Sequence, residues 1–128
     1  MISSPQMTCE EYNAFCAALR ATSHVVQWGG CHVWKVGGKV FAIGRWDKDS
    51  GQAAISFKVT PIAYEMLKDQ PGLRPAPYLA SRGLKWIQNY ADPGLGDEEL
   101  KSYLLSSYQI VFRSLPKKLQ KELGLNQS

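Results

Sequence analysis

The first hydrophobic pattern along the chain has the spacing of a helix. Thr8 followed three residues later by Glu11 forms a capping box, which is typical of a helix N-terminus. The apolar positions that follow recur at i, i+3, i+4 and i+7, which places them on one helical face. They are Tyr12, Phe15, Cys16 and Leu19. We therefore predict a helix over residues 8–21, preceded by a flexible tail of residues 1–7.

The middle of the chain changes to the alternation of apolar and polar residues that is typical of strands. Gly37-Gly38 is a two-residue hairpin signal, and residues 47–52 form a polar turn. The predicted strands are 25–28, 32–36, 39–46 and 53–59. Short turns between successive strands predict an antiparallel meander and not a βαβ series.

Helical patterns return after the meander. Thr60-Pro61 reads as an N-cap followed by a proline in the first helical position. The buried stripe of this short helix is predicted to be Ile62, Ala63, Met66 and Leu67. Residues 70–77, with three prolines, are predicted to form a loop, and residues 84–90 a last strand.

Asp97 is the predicted cap of the long final helix, and Glu98, Glu99 and Arg113 suit its macrodipole. Its inner face is predicted to be Leu100, Tyr103, Leu104, Tyr108 and Val111. A short terminal helix follows Pro116. Strands grouped in the centre with helices at both ends predict a two-layer α+β fold, with an antiparallel sheet and helices packed mainly on one face. We predict one domain over residues 8–124 and a tail over residues 125–128.

Composition agrees with one globular domain. The 128 residues are 45% hydrophobic and 20% charged, and no apolar run is long enough to cross a membrane. The N-terminus lacks the features of a signal peptide, so we expect a cytoplasmic protein. Three cysteines are too few and too far apart for a disulfide scaffold, so they are predicted to be reduced. The net charge of +4 permits an acidic partner without requiring one.

Several segments in a fixed order resemble the MmcQ/YjbR family of small bacterial proteins. They are WKVGGKVFAI from Trp34, SFKVTP from Ser56, PAPYLASRGLKWI from Pro75 and SYLLSSYQIVFRSLPKK from Ser102. The resemblance covers nearly the whole chain. It implies a two-layer domain related in shape to frataxin-like proteins and secretion chaperones, a DNA-binding role through a double-wing arrangement, and no catalytic residues to carry over.

Neither metal nor catalytic motifs stand out. His24, His32 and Cys31 lie around one predicted turn, but no spacing typical of zinc sites is present. Cys31 and His32 should point to opposite faces of their strand. No serine lies in a nucleophile motif, and the glycine pairs belong to turns and not to a phosphate loop. We therefore expect no enzyme activity, no metal and no cofactor.

Basic residues interleaved with aromatic ones remain as the candidate site. Lysine and arginine side chains on strands neutralise phosphates, and aromatic rings stack on bases. The candidate nucleic-acid-binding residues are Lys35, Lys39, Arg45, Lys58, Arg74, Tyr78, Arg82, Lys85 and Trp86. One conflict stays open, because Lys39 and Arg45 share their strand parity with apolar Phe41 and Ile43. A bulge or a strand end would resolve it.

Three functions stay open. The first is a non-catalytic DNA-binding module that uses this basic face. The second is a protein- or peptide-binding adaptor that uses the sheet face or edge. The third is a small-molecule pocket between the loop of residues 70–78 and the sheet. The basic run of residues 113–121 is interpreted as a solvated helix face.

Overall fold

The computed structural model describes residues 7–77, 79 and 82–124. Six strands form one antiparallel sheet in the order β1-β2-β3-β4-β6-β5. The helices are α1 (Cys9–Ala18), α2 (Pro61–Leu67), α3 (Asp97–Arg113) and α4 (Lys117–Glu122). The strands are β1 (Thr22–Gln27), β2 (Cys31–Val36), β3 (Lys39–Trp46), β4 (Ala53–Lys58), β5 (Leu73–Pro75) and β6 (Trp86–Asn89). The predicted α+β class is confirmed.

The core lies between the sheet and the helices on one of its faces. Phe57 of β4 stacks on Tyr103 of α3, and Phe41 of β3 meets Tyr108 of α3 edge to face. Tyr12 of α1 packs against Trp46 of β3. We call this side of the sheet the helix face and the opposite side the outer face.

Two of the three predicted helix caps are present. The Thr8 hydroxyl accepts a hydrogen bond from the Glu11 N–H, and the Glu11 carboxylate accepts one from the Thr8 N–H, which completes the capping box. The Thr60 hydroxyl accepts from the N–H of Ala63 at the start of α2. The long helix differs, because its N-cap is Gly96 and Asp97 is the first helical residue.

The N-terminal boundaries differ from the prediction. Met7, assigned to the tail, is 2% exposed and packs in the core, and its carbonyl accepts a 3.1 Å hydrogen bond from the Trp46 indole. The rest of the predicted N-terminal tail and the predicted C-terminal tail lie outside the described residues. Helix α1 ends early because the Thr22 hydroxyl donates to the carbonyls of Cys16 and Leu19.

Two further predictions were wrong. Leu73–Pro75, predicted as loop, pairs with β6 as an edge strand, a position where a proline is tolerated. On α2, Ile62 and Met66 are 76% and 63% exposed, whereas Leu67 is buried. A short helix at the end of a sheet buries a narrower stripe than its apolar residues suggest.

A bulge in β3 resolves the parity conflict. Trp34 pairs with Ala42 but Lys35 pairs with Val40, so Phe41 is an extra residue. Phe41 therefore turns to the helix face together with Ala42. Beyond the bulge, Ile43 and Arg45 point to the outer face.

The three cysteines are free thiols, as expected. No helix within the described residues is long and apolar enough to cross a membrane.

Candidate nucleic-acid interface on the outer face

One row of paired residues crosses the outer face from edge to edge. Each residue in the row is the register partner of a residue in the neighbouring strand, and the side chains of register partners point to the same face of the sheet. The row runs Val25, Val33, Ile43, Ser56, Gln88 and Arg74. It is apolar on β1 to β3 and polar on β4 to β5, so polar recognition groups are concentrated at one end.

A groove of about 720 Å³ lies over this row. Its floor is formed by Ile43, Ala54, Ser56 and Gln88. Trp28 and Cys31 line it from the β1–β2 turn, and Pro77, Leu79 and Arg82 line it from the segment between β5 and β6. The volume is in the range of sites that hold small ligands or single groups of larger ones.

The groove is lined by three arginines. They are Arg45 of β3, Arg74 of β5 and Arg82 between β5 and β6. None forms a salt bridge with a described acidic residue, since the two salt bridges found there join Lys68 to Glu65 and Lys101 to Glu98 on helices. Hydrogen bonds from Ser50 and Asp49, and least of all the charge of Arg45, lower the pKa of Asp47, which lies in the β3–β4 turn and does not line the groove. The groove is therefore electropositive.

Arg74 is held by two neighbours. Its Nε donates a 2.8 Å hydrogen bond to Oε1 of Gln88, and its guanidinium lies 4.1 Å from the centre of the Tyr90 ring. Stacking and the hydrogen bond fix the guanidinium plane, and its terminal N–H groups bond to no other described residue. Gln88 accepts from Arg74 through its oxygen, and among the described residues its amide N–H groups have no acceptor.

The structure places six of the nine predicted interface residues on the outer side. Register puts Lys35 opposite Val40, and it pairs Lys58 with Trp86; Lys35, Lys58 and Trp86 all lie on the outer face but outside the lining of the groove. The other three are the groove arginines Arg45, Arg74 and Arg82.

Two of the remaining three predicted residues lie elsewhere, and Trp86 is buried. Lys39, before the bulge, has the parity of the helix face. Lys85 points to the helix side, where its ammonium lies 4.7 Å from the centre of the Tyr64 ring. Trp86 is 5% exposed and has no free face on which a base could stack. Tyr78 lies outside the described residues.

Trp28 is the aromatic residue that the pattern misassigned. It was predicted to be the last residue of a strand, but it lies in the turn after β1 with φ +55° and is 61% exposed. A bulky residue rarely adopts this left-handed conformation. The signal for the turn was Gly29-Gly30 directly after it, and the left-handed backbone aims the indole at the groove.

A second cluster lies on the helix face around His32. Trp34 donates to Oδ1 of Asn13, so Asn13 Nδ2 is the group that donates to His32 Nδ1, at 3.3 Å, and His24 Nε2 lies 3.0 Å from the same nitrogen. The other ring nitrogen, Nε2, then carries the proton and faces the Cys9 thiol at 3.4 Å. Burial and then His24 lower the pKa of His32. The imidazole is therefore a neutral structural link between β1, β2 and α1.

This cluster is not arranged as a metal centre. Cys9 and His24 contact different nitrogens of His32, so the three groups do not converge on one point. No group of three or more potential ligands within the described ranges is placed to hold a metal ion. Cys31 points away, into the outer-face groove, as predicted from strand alternation.

Fold and surface together define a small α+β domain with helices on one face of an antiparallel sheet and a basic groove on the other. The chain belongs to the YjbR family, whose model matches residues 17–110. No curated protein matches the sequence.

Solved structures share this fold. The Deinococcus radiodurans protein DR2400, with a DUF419 domain, superposes with a TM-score of 0.81 at 25% identity, over 99% of this chain and 95% of that one. A Pseudomonas syringae protein superposes with a TM-score of 0.65 at 20% identity, over 82% of this chain and 99% of that one. The second likeness concerns the fold alone.

Proposed function

We propose that this protein is a non-catalytic DNA-binding module that contacts its ligand through the outer face. One observation carries the proposal: the outer face presents Arg45, Arg74 and Arg82 around one groove, and no strand of the sheet contains an aspartate or glutamate. Every acidic side chain lies in a helix or a connecting segment. A groove lined by cations, with no acidic residue in its described lining, attracts a phosphate backbone.

Binding and not catalysis fits the chemistry of the groove. Its described lining contains no histidine and no carboxylate that could act as a general base. Both histidines lie on the helix face, where His32 is held by Asn13 and Cys9. Burial raises the pKa of the Cys16 thiol to about 12, so it is not a nucleophile at neutral pH.

The test is fluorescence anisotropy of labelled DNA, single-stranded and duplex, titrated with protein at low and physiological salt. Arg74→Glu with Arg82→Glu should weaken binding at least tenfold, because it places two negative charges at the groove. Lys117→Glu with Lys118→Glu on α4 makes the same change of charge outside the groove. Equal losses in the two double variants would contradict a site on the outer face.

A second candidate is a peptide-binding adaptor, and the edge strand β1 favours it. Within the described chain, β1 pairs only with β2, and Val26 on it is 52% exposed. An unpaired strand edge can accept an added strand. This function would be supported if extended peptides bind the wild-type protein but not Val26→Lys, and if neither single-stranded nor duplex DNA binds.

A further inference from the structure

The shape of the groove determines which form of nucleic acid fits into it. Proteins read duplex DNA by inserting a protruding helix or two-stranded ribbon into its major groove. Here the polar groups are recessed: Ser56 is 5% exposed, and Gln88 lies half-buried on the floor. A duplex resting on this surface would touch only the rim, whereas an unpaired nucleotide can enter the groove.

Trp28 gives the groove a stacking surface at its mouth. Of the four tryptophans, Trp34 and Trp86 are buried and Trp46 is bonded to Met7, so Trp28 is the most exposed at 61%. Base–aromatic stacking tolerates any base but requires the base to leave a duplex stack. An exposed indole beside arginines is therefore suited to an unpaired strand.

Polar groups on the other side of the groove are suited to the rest of a nucleotide. Arg74 is fixed by Gln88 and Tyr90, and its terminal N–H groups, which bond to no described residue, can donate to a phosphate. The Gln88 amide can donate to acceptors on a base edge. The Ser56 hydroxyl, on the floor, makes no side-chain hydrogen bond to any described residue. Stacking, phosphate and edge contacts are thus offered within one cavity.

We propose that the outer-face groove binds a short single-stranded segment in preference to duplex, with a base stacked on Trp28 and phosphates on Arg45, Arg74 and Arg82. This inference rests on the proposed function and specifies its ligand. Specificity for base sequence is expected to be weak, because stacking accepts every base.

The experiment compares one labelled mixed-sequence strand with the duplex made by annealing it to its complement, at low salt. The single strand should bind at least tenfold more tightly. Trp28→Ala should weaken single-strand binding by about tenfold, which is within the range for loss of one stacked base. Trp28→Tyr, which keeps an aromatic ring, should retain most of the affinity.

Intrinsic fluorescence adds a readout at the site itself. An unlabelled strand should quench tryptophan emission in the wild-type protein and quench it much less in Trp28→Tyr, although that variant still binds. Circular dichroism of each variant verifies the fold, which should survive because Trp28 is a surface residue.

The outcomes separate the two proposals. Failure of both DNA forms to bind would overturn the proposed function and this inference together. Equal binding, or preference for duplex, would overturn the inference and leave the proposed function standing. A single-strand affinity that is unchanged by Trp28→Ala would also overturn the inference, because no base would then be stacked on Trp28.

Discussion

The Ser107 hydroxyl donates a 2.6 Å hydrogen bond to the carbonyl oxygen of Phe41 and accepts a 2.8 Å one from the backbone N–H of Lys58. The ladder between β3 and β4 ends one pair earlier, at Ala42 and Phe57. Ser107 is fully buried on α3. A helix side chain therefore replaces the strand-to-strand hydrogen bond that the bulge at Phe41 interrupts, and it ties the core to the bulge that orients Arg45.

Ser107→Ala should lower the free energy of unfolding by about 2–4 kcal/mol, because it leaves two buried backbone groups without a partner. Urea denaturation monitored by circular dichroism measures the change. Ser102→Ala, on the exposed side of the same helix, should change stability by less than about 0.5 kcal/mol. A loss no larger for Ser107→Ala than for Ser102→Ala would show that water satisfies the two backbone groups.

The histidine cluster predicts a stability that falls in mild acid. Burial and His24 lower the pKa of His32 in the folded state, so its contribution is complete above the unfolded value of about 6.5 and is lost as pH falls through the folded pKa. Protonation also turns Nδ1 into a donor that faces the Asn13 amide and His24 Nε2. Urea denaturation between about pH 7.5 and about pH 5.5 should show the wild type losing stability.

His32→Gln is the control, because it removes the titrating ring and keeps a polar side chain. Its stability should change less than that of the wild type over the same pH interval, while the carboxylates contribute equally in both proteins. If the two proteins lose stability in parallel, His32 is not the group responsible for the pH dependence.

Local signals in the sequence predicted the helices and most strands. The Thr8 and Thr60 caps and the Gly37-Gly38 hairpin depend on neighbours within a few residues, so they can be recognised without the fold. The grouping of strands between helices predicted the two-layer α+β architecture, which the family resemblance also implied, and the observed sheet and helices confirm it.

Features that depend on distant partners could not be predicted in the same way. Strand β5 exists because Leu73–Pro75 lies beside β6, and its own proline argues for a loop. Strand parity gave Lys39 and Arg45 the same face as Phe41 and Ile43, and the sequence left this conflict open, because one extra residue at Phe41 reverses the face of every residue after it. Trp28 was predicted to end a strand. Its left-handed backbone places it in the turn after β1, at the rim of the groove, which the sequence pattern alone does not show.

The contact between Arg74 and Gln88 predicts the effect of a nearly isosteric change. Gln88→Glu should keep the 2.8 Å contact and convert it into an ion pair that neutralises Arg74. Single-strand affinity should fall about tenfold or more, while thermal stability should not fall. Anisotropy and thermal denaturation measure the two quantities.

Gln109→Glu, on the exposed side of α3, is the matched control for that change of charge. It should reduce affinity only slightly, through the net charge. Comparable losses in the two variants would mean that Arg74 is not a specific contact of the ligand.

Salt dependence counts the phosphates that the groove engages. Each phosphate contact to a single strand contributes about −0.7 to the slope of log K against log salt, so three groove arginines predict a slope of about −2. Arg74→Ala should make the slope less steep by about 0.7, and Lys117→Ala, on α4, should leave it unchanged. Anisotropy titrations at several salt concentrations give the slopes. A wild-type slope near zero would contradict phosphate binding, because a cation that contacts no phosphate releases no counterion. A change of the slope in Lys117→Ala as large as that in Arg74→Ala would place phosphate contacts outside the groove.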